Sequence, residues 1–335
     1  MSKNLLLFGA TGAIGSFILE AILSARPQFD RVAIFTSPRT AETKASHLEK
    51  LKAQNVEIIV GDIEDEDAIK AAYTGTTQSN SIQSNPTITH TYTNSPGIDT
   101  IISSLGRTAL ALQIPLIRLA AATPSIKLFL PSEYGTDIAY GPASVNEKPH
   151  QQKLKVRAVL EGIPRDQLSY AYVVTGPFAE MYLHFSSDVE GGGWDVKGRK
   201  AVLLGTGEER ISLTTMKDSV GTLVLSTLLH ASPDNVNRAF CVNSFTTTPA
   251  SIQKEFERQV GGTWDVSFTS LDRLRELERK AWEEGKGTAT VLTLRRIWTE
   301  GGTLYEERAN GVIGEPRVMG LEEVVANEIK RVASL

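Results

Sequence analysis

The sequence contains a single cysteine among its 335 residues, so neither a disulfide framework nor a cysteine-built zinc site is expected, and no bound metal is predicted. Cys241 stands in the strand-like run 238–242 and is predicted to be a small buried residue. An excess of basic residues is also missing, since the formal net charge is −4. A general nucleic-acid surface needs clustered Lys and Arg, so we expect no nucleic-acid partner, although a local pocket for one phosphate stays open.

Long apolar runs are missing as well. No uncharged stretch approaches the ~20 residues that a membrane-spanning helix requires. The N-terminus lacks the apolar segment and the cleavage site of a signal peptide. We therefore predict a cytoplasmic protein without a membrane partner. The remaining composition, with 41% hydrophobic and 22% charged residues, is typical of a globular chain of one large domain or two packed ones.

Short apolar runs alternate with helical patterns through the first half of the chain. The runs do not alternate with polar residues, which is typical of strands that are buried on both faces. This βαβ order predicts an α/β fold, namely a Rossmann-type doubly wound parallel sheet with helices on both faces. The predicted strands are 5–8, 32–35, 56–60, 100–102 and 127–130, and the predicted helices follow residue 14 and lie at 41–53, 65–73 and 109–122.

The second half is less regular. Residues 167–174 predict a sixth strand, and 214–229 predict a helix that returns to the sheet. We therefore predict a Rossmann domain over residues 1–178, joined by 214–245, and a smaller α+β substrate domain over 179–213 and 246–335. Amphipathic helices of this second domain are predicted at 249–260, 270–285 and 321–332.

One segment interrupts the alternation of strands and helices in the first half of the chain. Between Tyr73 and Asp99 there is no Asp, Glu, Lys or Arg, and Ser, Thr, Asn and Gln dominate. Such a stretch has little apolar surface to offset its ordering entropy, so residues 74–97 are predicted to form a mobile surface insertion. A tolerated loop extension is favoured over a functional lid.

A glycine-rich turn lies between the first strand and the first helix. Its sequence Gly9-Ala10-Thr11-Gly12-Ala13-Ile14-Gly15 has the spacing G-x-x-G-x-x-G. A turn of this kind lets a backbone approach a pyrophosphate, and the helix N-terminus behind it offers N–H groups to phosphate oxygens. The alternative is a purely structural turn, which the strand-turn-helix context disfavours. The predicted dinucleotide-binding residues here are Gly9, Thr11, Gly12, Ala13, Ile14 and Gly15.

The end of the second strand indicates which dinucleotide is bound. An NAD enzyme usually places a carboxylate there, whereas this chain has Ser37, Arg39 and, further on, Lys44. A guanidinium and hydroxyl groups suit a 2′-phosphate, so we predict NADP(H) as the cofactor. The alternative is that Arg39 is a solvated loop charge.

Two further strand ends are candidates for cofactor contacts. Asp62 and Ile63 follow the third strand, and Asp62 is placed to reach the adenine edge. A turn-forming or helix-capping role for Asp62 is an alternative of nearly equal weight. Ser104, Leu105 and Gly106 end the fourth strand beside the expected pyrophosphate and ribose.

The combination of segments resembles the NmrA-like and isoflavone reductase-like families, which are atypical short-chain dehydrogenases, and its C-terminal part is most similar to fungal members. The resemblance covers nearly the whole chain outside the insertion. Its most discriminating piece is Phe129-Leu130-Pro131-Ser132-Glu133-Tyr134-Gly135. The other segments that carry it are the glycine turn and residues 61–63, 153–157, 173–178 and 218–221.

Membership in these families implies an NADP(H)-binding domain, a substrate domain and a cleft between them. It also implies that Lys153 is the helix lysine that assists hydride transfer to an aromatic small molecule. Position 149 is Pro, so the tyrosine that usually stands one helical turn before such a lysine is absent, as in the reductase branch. The pattern of the helix by itself would favour a solvated charge at Lys153. Further implied cofactor contacts are Pro131, Ser132, Glu133, Lys153, Gly176, Pro177 and Phe178.

The resemblance also suggests residues for the substrate. Tyr134 and Phe178 are expected to contact it, and Met181 and Tyr182 are expected either to wall an aromatic pocket or to belong to the core, as is Trp298. His150 is expected at the surface, with a contact to the substrate as the alternative.

Three functions are consistent with the sequence. The favoured one is an NADPH-dependent reductase of an aromatic or conjugated small molecule, assisted by Lys153. The others are a regulator that senses dinucleotide redox state without catalysis, and a non-redox enzyme, such as a cyclising one, on the same scaffold. A monomer and a homodimer are both consistent with the sequence.

Overall fold

The computed structural model describes residues 4–80, 90–94, 97–184, 189–305 and 307–334. Its strands are β1 (Asn4–Phe8), β2 (Arg31–Thr36), β3 (Glu57–Val60), β4 (Thr76–Asn80), β5 (His90–Asn94), β6 (Thr100–Ser103), β7 (Leu128–Leu130), β8 (Ser169–Val174), β9 (Gly193–Asp195), β10 (Lys200–Leu204), β11 (Ile211–Leu213), β12 (Arg238–Cys241), β13 (Phe245–Thr247) and β14 (Asp265–Thr269). Its α-helices are α1 (Ala13–Ser24), α2 (Pro38–Thr43), α3 (Ala45–Lys52), α4 (Glu66–Thr74), α5 (Gln113–Ala121), α6 (Gln151–Glu161), α7 (Ala179–Leu183), α8 (Val220–His230), α9 (Pro249–Val260), α10 (Leu271–Glu283), α11 (Ala289–Thr299) and α12 (Leu321–Ala333).

A seven-stranded sheet has the order β12-β8-β7-β6-β1-β2-β3. The strand pairs β3-β2, β2-β1, β1-β6, β6-β7 and β7-β8 are parallel. The first strand thus lies inside the sheet, between β6 and β2, which is typical of the doubly wound order of dinucleotide-binding folds. Residues 5–8, 32–35 and 101–102 are almost fully buried, because helices cover both faces of such a sheet. The predicted Rossmann-type fold is confirmed.

Two predicted helices differ most from the structure in their bounds. The helix expected at 41–53 is two helices, α2 and α3, because Ser37 caps a helix that starts early at Pro38 and the backbone breaks at Lys44. The helix expected at 214–229 begins only at Val220, since residues 211–213 form a strand. In both cases a local cap or a strand pairing decided the bounds.

The contacts within the chain divide it into two compact units. The first unit comprises Met1–Ser132, Gln152–Tyr172 and Val224–Ala239, and the second comprises Glu133–Gln151, Val173–Leu223 and Phe240–Leu335. Residues 133–151, which the predicted domains place in the Rossmann part, are thus counted with the second unit. The functional roles of the predicted domains stay a prediction.

The second unit contains small sheets and several helices. One sheet has the order β14-β10-β9, and a second pairs β11 with β13. Tyr182, Trp194, Phe256, Trp264 and Trp298 contribute large rings to its core. The short strands of this unit and helix α11 were not predicted, because three- to five-residue strands leave little periodicity in the sequence.

The predicted insertion at 74–97 is described in part. Residues 76–80 and 90–94 form the antiparallel strands β4 and β5. Residues 81–89 and 95–96, which the prediction of mobility also covers, lie outside the described residues.

Candidate functional site

The glycine turn packs its own backbone against the end of β6. Gly9 has a φ of +73°, a conformation that side chains disfavour, and a Cβ there would lie 2.7 Å from the Ser104 carbonyl oxygen. A Cβ on Gly15 would overlap the Gly9 carbonyl oxygen and lie 2.5 Å from Ser104 Oγ. The Ser104 hydroxyl and N–H both donate to the Phe8 carbonyl at 2.9 Å. Glycine is therefore required at positions 9 and 15 for the first helix to approach the strand ends.

The N-terminus of α1 is left open to an anion. Gly12 is its N-cap residue and offers no side chain, and the first turn holds no acidic residue. The N–H groups of Ala13, Ile14 and Gly15 have no helix carbonyl to bond to. Gly12 and Ala13 are exposed. This open turn with a positive dipole end fits the pyrophosphate of a dinucleotide.

Cationic side chains lie at the end of β2 in the same unit. The Lys44 ammonium donates to the Thr11 carbonyl of the glycine turn at 2.6 Å. Arg39 is exposed at the start of α2. The Ser37 hydroxyl is already engaged, since it accepts from the Thr40 N–H and donates to Thr40 Oγ1. The structure thus brings Lys44 and Thr11 together, and their contacts to a cofactor stay predictions.

Asp62 is exposed after β3, and its carboxylate accepts the N–H of Glu64 at 3.0 Å. Its backbone carbonyl accepts the N–H of Asp65, which in turn caps α4. Asp62 therefore has the turn-forming role that the sequence left open as an alternative. Ile63 beside it is partly buried. The adenine contact of Asp62 stays untested.

A buried glutamine connects two predicted site loops in the first unit. The Gln113 side chain accepts from the Ser132 N–H at 2.8 Å and donates to the Leu110 carbonyl. The Ser132 hydroxyl donates to the Leu105 carbonyl at 2.9 Å. These bonds hold the turn after Pro131 against the loop of Leu105 and Gly106. Gln113 was missed by sequence reasoning, although a lone polar residue that starts an apolar helix was the available signal.

Lys153 is the third residue of α6 and is partly exposed. Lys155, two residues further, is exposed, and Val156 and Leu160 are buried. The lysine therefore lies on the flank of the buried stripe, and Lys155 lies further round the helix.

In the second unit, Glu133 and Tyr134 are buried. Among the described residues no group accepts or donates a hydrogen bond at the Tyr134 hydroxyl. Burial, and then the charge of Glu133, raises the pKa of Tyr134 far above its usual value, so the phenol stays protonated. Gly176 and Pro177 are buried after β8, and Phe178 is half-buried.

A second phenol of this unit, Tyr305, was not assigned a role from the sequence; the residue is partly exposed but its hydroxyl is buried. A Cβ on Gly176 would lie 3.3 Å from the Tyr305 hydroxyl, and that hydroxyl also has no partner in the part of the chain that is described. The only signal was its place in the C-terminal part, which resembles fungal members of the family.

Tyr182 and Met181 differ sharply in their exposure to solvent, although they are neighbours on α7. Tyr182 is 4% exposed, and its ring centre lies 6.1 Å from that of Trp194 and 6.0 Å from that of Trp298. Burial raises the pKa of Tyr182 to about 12. Trp298 donates to Thr136 Oγ1 at 2.8 Å. Tyr182 and Trp298 are thus core residues, whereas Met181 is 56% exposed.

The expectation that His150 lies at the surface was wrong. Its side chain is 2% exposed, and Nδ1 lies 3.1 Å from the Ser144 carbonyl oxygen. Its ring packs edge-on against Tyr140 at 6.0 Å. Two consecutive short 3₁₀-helices, Pro142–Asn146 and Lys148–His150, turn the ring inward, and sequence spacing did not reveal them.

Cys241 is partly exposed rather than buried. Over the described ranges, no group of three or more His, Cys, Asp or Glu is placed to hold a metal ion. In the same part of the chain, every helix is too short or too polar to cross a membrane.

The chain is similar to known proteins both in sequence and in fold. The sequence profile of the NmrA-like family matches residues 1–284. An oxidoreductase of Aspergillus flavus, aprR, is 28% identical over 240 residues, which cover 70% of this chain and 78% of that protein. The isoflavone reductase of Pisum sativum is 26% identical over 288 residues, 81% of this chain and 80% of that protein. The solved complex of Vitis vinifera leucoanthocyanidin reductase with NADPH has a TM-score of 0.72 at 18% identity, covering 97% of this chain and 98% of that chain.

Proposed function

Because the chain belongs to the NmrA-like family, we propose that it is an NADPH-dependent reductase of an aromatic or conjugated small molecule. The observation that carries the proposal is the open N-terminus of α1 behind a turn that only glycine can form at positions 9 and 15. The names of its relatives support the class of reaction, since the Pisum sativum protein is an isoflavone reductase and the Aspergillus flavus protein an oxidoreductase.

The first unit would hold the dinucleotide along its strand ends. The N–H groups of Ala13, Ile14 and Gly15 would bind the pyrophosphate, since they have no partner in the helix. Arg39 and Lys44 would bind the 2′-phosphate, because charge-assisted bonds from exposed cations favour a dianion over a hydroxyl. Lys44 is already anchored to the turn through Thr11. The NADPH complex of the Vitis vinifera neighbour is consistent with this choice of cofactor.

When bound, NADPH supplies a hydride to an electron-poor carbon of the substrate. We propose that the Lys153 ammonium donates a hydrogen bond to the substrate oxygen on which negative charge develops. An ammonium at this place also has a proton to give to that oxygen. Pro149 stands where a tyrosine would otherwise share this work, so the lysine acts without one.

The proposal has a direct test in two measurements. NADPH and NADH are titrated against the wild-type protein, and NADPH should bind at least about tenfold more tightly, as one charge-assisted contact implies. A panel of aromatic enones, isoflavones and benzylic ethers is then screened for oxidation of NADPH in one-to-one proportion to product. Equal binding of the two dinucleotides would contradict the cofactor assignment. Product formation without NADPH consumption would favour the non-redox enzyme, and tight binding without turnover would favour the sensor.

A further inference from the structure

Gln113 is a polar side chain buried inside the first unit. It is the first residue of α5 and is 1% exposed, whereas the other buried side chains of that helix are apolar. A primary amide is costly to bury when its polar atoms lack hydrogen bonds. Here Oε1 accepts the Ser132 N–H at 2.8 Å, and Nε2 donates to the Leu110 carbonyl at 3.1 Å. Gln113 therefore contributes through the groups that it holds.

The bonds of Gln113 reach the loops that end two neighbouring strands. Ser132 lies two residues after β7, and Leu105 lies two residues after β6. These strands pair in parallel, so both loops leave the sheet at the same edge. Gln113 holds Ser132 directly, and the Ser132 hydroxyl passes the connection on to the Leu105 carbonyl at 2.9 Å. A single amide thus fixes the positions of both loops.

The order of the strands places these loops on one side of the glycine turn. Along β7-β6-β1-β2-β3, the turn follows β1, Arg39 and Lys44 follow β2, and the two loops lie on the opposite side. A dinucleotide lies across the carboxyl ends of such strands, with its pyrophosphate at the helix N-terminus. With the 2′-phosphate at the end of β2, the nicotinamide ribose therefore lies at the ends of β6 and β7.

The bonds already made by Ser132 determine what it can offer to a ligand. Its N–H is bonded to Gln113, and its O–H is bonded to the Leu105 carbonyl. Ser132 is partly exposed, so its hydroxyl oxygen can still accept a hydrogen bond. An acceptor at this place suits a ribose hydroxyl or the N–H of a carboxamide.

We propose that Gln113 is a positioning residue for the half of the site that binds the nicotinamide ribose. It is buried and acts through Ser132 and Leu105, which contact the cofactor. Without the amide, these loops are no longer held in place before binding, and the ligand has to order them at a cost in affinity. The adenosine half, at the ends of β2 and β3, does not depend on this amide. The inference rests on the proposed function, because it takes NADP(H) as the ligand.

The test measures the binding of two ligands to the full-length protein by calorimetry. One ligand is NADP⁺, and the other is adenosine 2′,5′-bisphosphate, which has the 2′-phosphate and the adenosine but no nicotinamide half. Gln113→Leu should weaken NADP⁺ about tenfold and leave the bisphosphate unchanged, because the Ser132 N–H loses its partner.

Two further variants separate positioning from a general loss of stability. Gln113→Asn is one methylene shorter and cannot span Ser132 and Leu110, so it should show the same selective loss, and it replaces Gln113→Leu if that protein does not fold. Gln113→Glu keeps an oxygen for the Ser132 N–H and should retain most of the affinity for NADP⁺.

Gln253 provides the matched control in the second unit. It is 5% exposed, accepts the Trp194 indole N–H at 2.9 Å and donates to Glu257 at 2.9 Å. Gln253→Leu should lower the thermal midpoint and leave both affinities unchanged. A wild-type protein that binds neither ligand overturns the proposed function, and this inference with it. If the wild type binds NADP⁺ but the Leu and Asn variants weaken both ligands equally, or neither, only the role of Gln113 is overturned.

Discussion

Around the glycine turn of the first unit, main-chain groups make the close contacts, and the side chains that bear charge remain exposed. Gly9 meets the backbone of Ser104 and Gly15 meets the backbone of Gly9, while the side chains of Arg39 and Lys44 are exposed. In the second unit the aromatic side chains themselves form the core, as the contacts of Tyr182 with Trp194 and Trp298 show. Because a side chain used for packing cannot also turn toward a ligand, substitutions should affect binding in the first unit and stability in the second.

The largest effect is expected for Gly12→Val. The position is exposed at the N-cap of α1 with a φ of −82°, and a Cβ there would lie 3.1 Å from the Gly9 carbonyl oxygen, so a side chain requires a small shift of the turn and occupies the space in front of the helix N–H groups. NADPH binding should be abolished, and the circular dichroism spectrum and thermal midpoint should remain close to wild type. Gly287→Val, at a glycine whose Cβ would meet nothing within 4 Å, is the control and should bind NADPH normally. Unchanged binding by a folded Gly12→Val protein would mean that the turn is only structural.

Lys153→Met should lower turnover about 10²–10⁴-fold once a substrate is identified, because a general acid contributes on that order. NADPH affinity should change far less, since the glycine turn and Arg39 are expected to carry most of it. Lys155→Met, on the exposed side of the same helix, should be nearly silent in both measurements. Wild-type turnover in both variants would make Lys153 a surface charge and would favour the sensor or the non-redox enzyme.

The Tyr182→Ala variant tests whether the buried tyrosine ring stabilises the second unit. Removal of a large buried ring leaves a cavity, so the free energy of unfolding in urea should fall by about 3–5 kcal/mol. Met181→Ala, at the exposed neighbour, should change it by less than about 0.5 kcal/mol. Similar losses in the two variants would show that Tyr182 does not have the packing role described here.

Arg39→Ala should have the smallest of these effects. It should weaken the binding of NADPH by about one to two decades and leave the binding of NADH unchanged, because Arg39 is expected to contact only the 2′-phosphate, which NADH lacks. Fluorescence titration of both dinucleotides measures the difference. If both affinities fell together, Arg39 would act on the turn and not on the phosphate.

Much of the first unit could be predicted from the sequence, because its signals are local. A continuous apolar run such as 5–8 indicates a strand that is buried on both faces. The glycine spacing that follows it indicates where the first helix begins. The break between α2 and α3 at Lys44 was missed, although the cap at Ser37 is a local signal; the bond from Lys44 to Thr11 joins residues that are distant in the chain.

The sequence by itself determined the alternation of strands and helices in the first unit, the place of the glycine turn and the absence of a carboxylate at the end of β2, since each depends on residues close together in the chain. Only the tertiary structure decided that His150 is buried, that Tyr182 packs between tryptophans and that Gln113 connects the loops of Leu105 and Ser132. These outcomes depend on contacts between residues that are far apart in sequence. Burial of a ring or an amide is determined by the whole set of neighbours that surround it, and residue type and spacing do not contain that information.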